Sequence, residues 1–89
     1  MRQPLAYIHP SAKIANNVVI EPFTSIDNNV EIGEGTWIGS NVTIMEGARI
    51  GKNCLIGSNV TIRNSIIGNN IVIQDGCKIG LKGFGFIPI

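Results

Sequence analysis

The sequence predicts an all-β protein built as a parallel β-helix, and three observations support this prediction. First, isoleucine recurs every six residues, at positions 8, 14, 20, 26, 32, 38, 44, 50, 56 and 62. Second, the residue two positions before each isoleucine is small or branched, as at Ala12, Val18 and Thr24. Third, turn formers such as Asn16-Asn17 and Glu34-Gly35 separate consecutive apolar pairs.

Strands explain this spacing, and helices do not. A period of six does not fit the 3.6 residues of a helical turn, whereas residues two apart on a strand share one face. Branched residues favour strands, and a short repeat without long loops is typical of a β-helix. Three hexads form a triangular coil of 18 residues. Equivalent residues of successive coils stack about 4.8 Å apart. The chain is long enough for about 4.5 coils.

The repeat slips by one residue after Ile62 and resumes at residues 67, 73 and 79, which gives one coil of 17 residues. One interpretation is a tightened corner that keeps both apolar columns aligned. The other is a splice between two different β-helices. The spacing favours the tightened corner.

We expect a single β-helix domain over residues 1–89. Residues 1–7 form an N-terminal lead-in, residues 8–80 form the hexapeptide coils, and residues 81–89 form a tail outside the repeat. A β-helix that stops has an open strand edge. The apolar tail is a candidate cap for that edge.

The residue before each repeating isoleucine points outward and divides the surface into three faces. The polar face carries Tyr7, Ser25, Thr43, Thr61 and Lys78. The charged face carries Lys13, Glu31, Arg49 and Ile66. The apolar face carries Val19, Trp37, Leu55 and Val72. An aligned apolar stripe is typical of an interface, so we predict that these four residues form the contact of a homotrimer.

Composition excludes several classes of partner and location. The net charge is +1 and the seven basic residues are scattered, which argues against nucleic-acid binding. No apolar stretch approaches the roughly 20 residues needed to span a membrane. The N-terminal sequence MRQPLAYIHP lacks the apolar run of a signal peptide, so a cytoplasmic protein is expected.

Few residues are candidates for chemistry. The single histidine, His9, lies below Asp27 in the predicted stack and could be oriented as a general base. The favoured interpretation is a solvated histidine that opens the first turn, because no nucleophile or second base lies nearby. Cys54 and Cys77 fall at inward positions of different faces, where each acts as a small hydrophobe. We therefore predict no catalytic residue, metal site or cofactor.

The first half of the chain resembles a known enzyme family. PLAYIHPSAKIANNVVIEPFTSID…VEIGEGTWIGSNVTIMEGARIGKN, about residues 4–53, resembles the N-terminal β-helix of UDP-N-acetylglucosamine O-acyltransferase, which begins lipid A biosynthesis. This resemblance implies a left-handed β-helix, which periodicity alone does not determine. It also implies a homotrimer that uses acyl carrier protein as donor and a UDP-sugar as acceptor.

The last third resembles a different enzyme of that pathway. IRNSIIGNNIVIQDGCKIGLKGFGFIPI, residues 62–89, is similar to the middle of UDP-3-O-acylglucosamine N-acyltransferase. There a GFGF stretch leaves the coil, and this carries a ligand-binding expectation over to Gly83, Phe84, Gly85 and Phe86. The two resemblances together imply a chimera or truncated fragment, joined near residues 54–64.

Three functional hypotheses follow. The first is an inactive fragment or chimera, because the catalytic histidine of both families lies in later coils. The second is an active acyltransferase with an intersubunit site, in which GFGF lines the acyl path and Lys78 or Lys82 lies near the donor's phosphates. The third is an engineered structural scaffold.

Overall fold

The computed structural model describes residues 5–80, and every regular element in this range is a strand of two residues. Each strand pairs an outward residue with an inward isoleucine. The thirteen strands are β1 Tyr7–Ile8, β2 Lys13–Ile14, β3 Val19–Ile20, β4 Ser25–Ile26, β5 Glu31–Ile32, β6 Trp37–Ile38, β7 Thr43–Ile44, β8 Arg49–Ile50, β9 Leu55–Ile56, β10 Thr61–Ile62, β11 Ile66–Ile67, β12 Val72–Ile73 and β13 Lys78–Ile79.

The strands form three parallel sheets that wrap one interior. Their orders are β1-β4-β7-β10-β13, β2-β5-β8-β11 and β3-β6-β9-β12. Equivalent positions of successive coils lie side by side, so Ile8 lies beside Ile26 and Trp37 lies beside Leu55. The fold is the predicted left-handed parallel β-helix of hexapeptide repeats, and the polar, charged and apolar faces have the predicted register.

The one-residue slip is absorbed in the corner between β10 and β11. Beyond it, Ile66 pairs with Arg49 and Ile67 pairs with Ile50, so the register is unchanged. The Ser65 carbonyl accepts a hydrogen bond from the Arg49 N–H at 2.9 Å. Ser65 Oγ donates to the Arg63 carbonyl at 2.8 Å and closes the short turn. The corner therefore keeps both apolar columns aligned, as the tightened-corner interpretation predicts.

The interior consists of the isoleucines and of the residues two positions before them. Its buried hydrophobic members are Val18, Ile20, Ile26, Val30, Ile32, Ile38, Val42, Ile44, Ala48, Ile50, Cys54, Ile56, Val60, Ile62 and Ile73. Cys54 occupies an inward position as predicted, and its thiol also donates to the Gly68 carbonyl at 3.1 Å.

Two buried threonines hold coils together from the inside. Thr36 Oγ1 donates to the Gly51 carbonyl at 2.9 Å and accepts from the Cys54 N–H at 3.1 Å. Thr24 Oγ1 makes the equivalent bond to the Gly39 carbonyl at 2.7 Å. Buried polar groups need such partners, since an unpaired hydroxyl in the interior is destabilising. Each hydroxyl thereby links one coil to the corner of the next.

The corners depend on residues that tolerate unusual backbone or close approach. One turn position adopts positive φ in corner after corner, and asparagine or glycine usually occupies it. Another position, just after the isoleucine, brings successive coils close. A Cβ on Gly51 would lie 2.7 Å from the Gly68 carbonyl oxygen, so a side chain there would collide with the next coil.

Several predictions concern residues outside the described range. They include the ligand-binding expectation for Gly83, Phe84, Gly85 and Phe86, the capping tail over residues 81–89, and part of the lead-in over residues 1–7. The predicted division of the domain therefore stays a prediction.

Candidate functional site

The apolar face forms one straight column along the β-helix. Val19 pairs with Trp37, Trp37 with Leu55, and Leu55 with Val72. The exposed fractions are 47% for Trp37, 49% for Leu55 and 63% for Val72. The structure thus brings the four predicted interface residues together on the surface, while their role in assembly stays a prediction.

A second apolar feature adjoins this face and was missed from the sequence. Leu5 and Phe23 lie in the corner that leads from the apolar face to the polar face, and each side chain is 62% exposed. They are 18 residues apart and follow the stacking of Tyr7 on Ser25. We call this pair the apolar ridge. A reading of the turn position in every hexad could have found Phe23, because asparagine or glycine is usual there.

A groove of about 690 Å³ runs along the charged face. Its lining includes the outward residues of that face, the isoleucines that follow them, and Ala12, Ala15, Gly33 and Gly51. The glycines have a structural explanation, since a Cβ on Gly33 would lie 2.6 Å from the backbone of Gly51. The tight stacking of the coils thus explains the glycines in this lining.

His9 belongs to a turn network. Its Nδ1 accepts from the Ser11 N–H at 3.0 Å and lies 2.9 Å from Ser11 Oγ. Ser11 Oγ accepts from the Asn29 N–H at 3.0 Å in the next coil. Asp27 Oδ1 accepts from the Asn28 N–H at 2.7 Å. These contacts fit the histidine that opens the first turn better than a base oriented by Asp27.

The remaining candidate residues within residues 5–80 make contacts in the scaffold or lie on different faces, and Lys82 lies outside the described range. Lys78 Nζ donates to the Asn59 carbonyl at 3.3 Å. Cys54 and Cys77 are free thiols. Across residues 5–80, no three histidine, cysteine or acidic side chains cluster as a metal ion would require. The same range contains no helix suited to crossing a membrane.

The chain is similar to several known acyltransferases. Residues 29–64 match the family model described as bacterial transferase hexapeptide (six repeats). The UDP-3-O-acylglucosamine N-acyltransferase of Rhodopseudomonas palustris strain HaA2 is 69% identical over 84 residues, which covers 94% of this chain and 23% of the relative. The enzyme of the same name from Nitrobacter hamburgensis is 65% identical over 82 residues. The chain thus spans about a quarter of the length of these relatives.

Solved structures show the same fold. The UDP-N-acetylglucosamine acyltransferase of Francisella novicida superposes with a TM-score of 0.73 at 32% identity, over 90% of this chain and 43% of that one. The enzyme from Bacteroides fragilis gives 0.65 at 35% identity, over 88% and 45%.

These matches bear differently on the two parts of the predicted resemblance. The resemblance to both enzymes is confirmed. The chimera is not confirmed, because a single relative aligns over 84 of the 89 residues and so covers both sides of the expected join. The chain is a left-handed β-helix of hexapeptide repeats that is similar to the UDP-3-O-acylglucosamine N-acyltransferases in sequence and to the UDP-N-acetylglucosamine acyltransferases in fold.

Proposed function

We propose that this chain forms coils of an acyltransferase in the lipid A pathway, one that acylates the amine of a UDP-3-O-acylglucosamine. The observation that carries the proposal is the 69% identity to a relative of that name over 94% of the chain. In the reaction the amine nitrogen attacks the thioester carbonyl of an acyl carrier protein. The carbon–sulfur bond breaks and releases the carrier protein's thiol, an amide forms, and a base takes the proton from the amine.

The described coils contribute framework and subunit contact to this enzyme. A base must reach the reacting amine, yet His9 Nδ1 lies in the turn network with Ser11. His9 is the only histidine in the sequence. The isolated 89-residue chain is therefore proposed to be inactive, whether it is a natural fragment, a chimera or an engineered scaffold.

The enzyme is proposed to act as a homotrimer, and the apolar face supports this assembly. Exposed aromatic and aliphatic residues in one column favour burial, and closed rotational symmetry would bury each copy's column once. A face four strands high and six residues wide covers roughly 400 Å². A standard interface buries about 800 Å² on each partner, so these coils alone would associate weakly.

A cytoplasmic location is part of the same proposal. Cys54 and Cys77 are free thiols, which suits a reducing compartment.

The test is an exchange of the aligned segment. The matching stretch of the Rhodopseudomonas palustris HaA2 relative is replaced by this chain's residues, and transfer from an acyl carrier protein thioester to UDP-3-O-acylglucosamine is measured. We expect the hybrid to keep activity within about tenfold of the parent, because the two segments are 69% identical. A hybrid that folds and assembles as the parent does, but transfers no acyl group, would contradict the proposal.

The isolated chain provides the control. It is expected to give no transfer above the uncatalysed rate. Transfer that is lost in a His9→Ala variant would instead establish the alternative, an active enzyme with an intersubunit site.

A further inference from the structure

We propose that Phe23 anchors the contact between copies, packing from the corner of one copy between Val19 and Trp37 of its partner. This inference rests on the homotrimer proposed above. It names the second surface that such an assembly needs, and it assigns that surface to the apolar ridge.

The backbone of Phe23 is the first observation. Its φ is 65°, in the left-handed region that bulky side chains rarely adopt. The equivalent turn position with positive φ in the other corners carries only asparagine or glycine. These residues are Asn17, Asn29, Gly35, Asn41, Gly47, Asn53, Asn59, Asn64, Asn70 and Gly76. Among these turn positions, Phe23 is therefore the one whose side chain makes the left-handed backbone conformation unfavourable.

Packing within the chain does not offset that strain. The Phe23 side chain is 62% exposed, as is Leu5 below it, and Tyr7 nearby is 55% exposed. For a single copy, asparagine at this position would relieve the backbone and remove apolar surface from water. A contact outside the chain explains the phenylalanine, and strained residues that persist are often found at such functional positions.

The symmetry of a trimer indicates that the apolar ridge packs against a second copy of the chain. In a closed ring of three, each interface joins two different patches of the same chain. Except for side chains on the threefold axis itself, the apolar face then packs against a different patch of the next copy, so a second apolar patch is needed. The apolar ridge borders the apolar face, and its side chains are large and exposed.

Height along the β-helix matches the two patches. Rotation about an axis parallel to the β-helix axis leaves each residue at its own height along that axis. Eighteen residues climb about 4.8 Å, so Phe23 stands about 1 Å above Val19 and about 4 Å below Trp37. The ring of Phe23 is thus level with the interval between those two side chains in its partner.

The test compares assembly and stability in a Phe23→Asn variant of the 89-residue chain. Molar mass is followed by light scattering across a range of concentrations. Because burial of a phenylalanine is lost, the concentration of half-assembly should rise by about 10- to 100-fold. At concentrations where both proteins are monomers, the same variant should unfold about 4 °C higher, since the backbone strain is gone.

Two further variants make the result specific. Ile66→Thr removes a side chain that is 80% exposed but lies on the charged face, and it should assemble as the wild type does. Trp37→Asp should abolish assembly.

Each outcome decides between the proposals. If Trp37→Asp dissociates while Phe23→Asn assembles normally, the corner contact is wrong and the trimer stands. A wild type whose molar mass does not rise with concentration overturns both, because even weak association of the coils would raise it. A wild type of twofold mass indicates apolar face against apolar face and overturns both as well. A Phe23→Asn monomer that unfolds at a lower temperature also overturns the inference.

Discussion

Two apolar columns run side by side in this molecule, on opposite sides of the same four strands. The inner column, Ile20, Ile38, Ile56 and Ile73, is at most 5% exposed. The outer column, the apolar face, has three members that are about half exposed or more. Both columns are apolar in the sequence, but only the inner one is buried within a single chain. Apolar character therefore stabilises the fold in one column, and in the other it remains exposed at the proposed subunit contact.

The largest expected effect comes from shortening one side chain in each column to alanine. Ile38 is fully buried, so Ile38→Ala should lower the free energy of unfolding by about 2–5 kcal/mol. Leu55 is 49% exposed, and Leu55→Ala should lower it by less than about 1 kcal/mol when the chain is monomeric. Urea denaturation at low protein concentration measures both. Equal losses would show that the outer column also stabilises the single chain.

The second test extends the comparison from side chains to the corner backbone. Gly51→Ala should be destabilising by about 1–3 kcal/mol, because the new methyl group would meet the Gly68 carbonyl oxygen and the Asn69 side chain. Gly68 occupies the same position one coil later, and among the described residues nothing lies within 4 Å of its added Cβ. Gly68→Ala is thus the matched control and should change thermal unfolding little. An equally stable Gly51→Ala protein would show that coil spacing can relax.

The smallest test concerns the polar residues of the interior. Thr36→Val keeps the shape but removes the hydroxyl that bonds the Gly51 carbonyl and the Cys54 N–H. We expect a loss of about 1–2 kcal/mol in the free energy of unfolding. Thr36→Ser retains the hydroxyl and loses only a methyl group. If the serine variant is the less stable of the two, the methyl group matters more than the hydrogen bonds.

The fold and its register followed from the sequence because one rule applies to every coil. Isoleucine at every sixth position fixes which residues point inward, and stacking then places Trp37 beside Leu55. Even the slip after Ile62 was interpretable, since a corner can shorten while the strands stay paired.

The candidate site was only half predictable. The apolar face follows from periodicity, but the apolar ridge depends on corner geometry. Sequence alone does not show that Phe23 takes the positive φ of its asparagine counterparts, or that its ring remains exposed. The hydrogen bonds of Thr36 were likewise hidden, because they join backbone groups 15 and 18 residues away.

The shortened corner has a consequence for how such chains change length. Alignment of the coils depends on which strands pair and not on how many residues join them. The short corner of Arg63, Asn64 and Ser65 therefore keeps the later strands in register although the coil has one residue fewer. A single insertion or deletion inside a strand would turn its inward side chain toward water. The same change in a corner leaves all later coils in phase. Corners are thus the places where this architecture can gain or lose residues, and where loops can be added without disturbing the coils on either side.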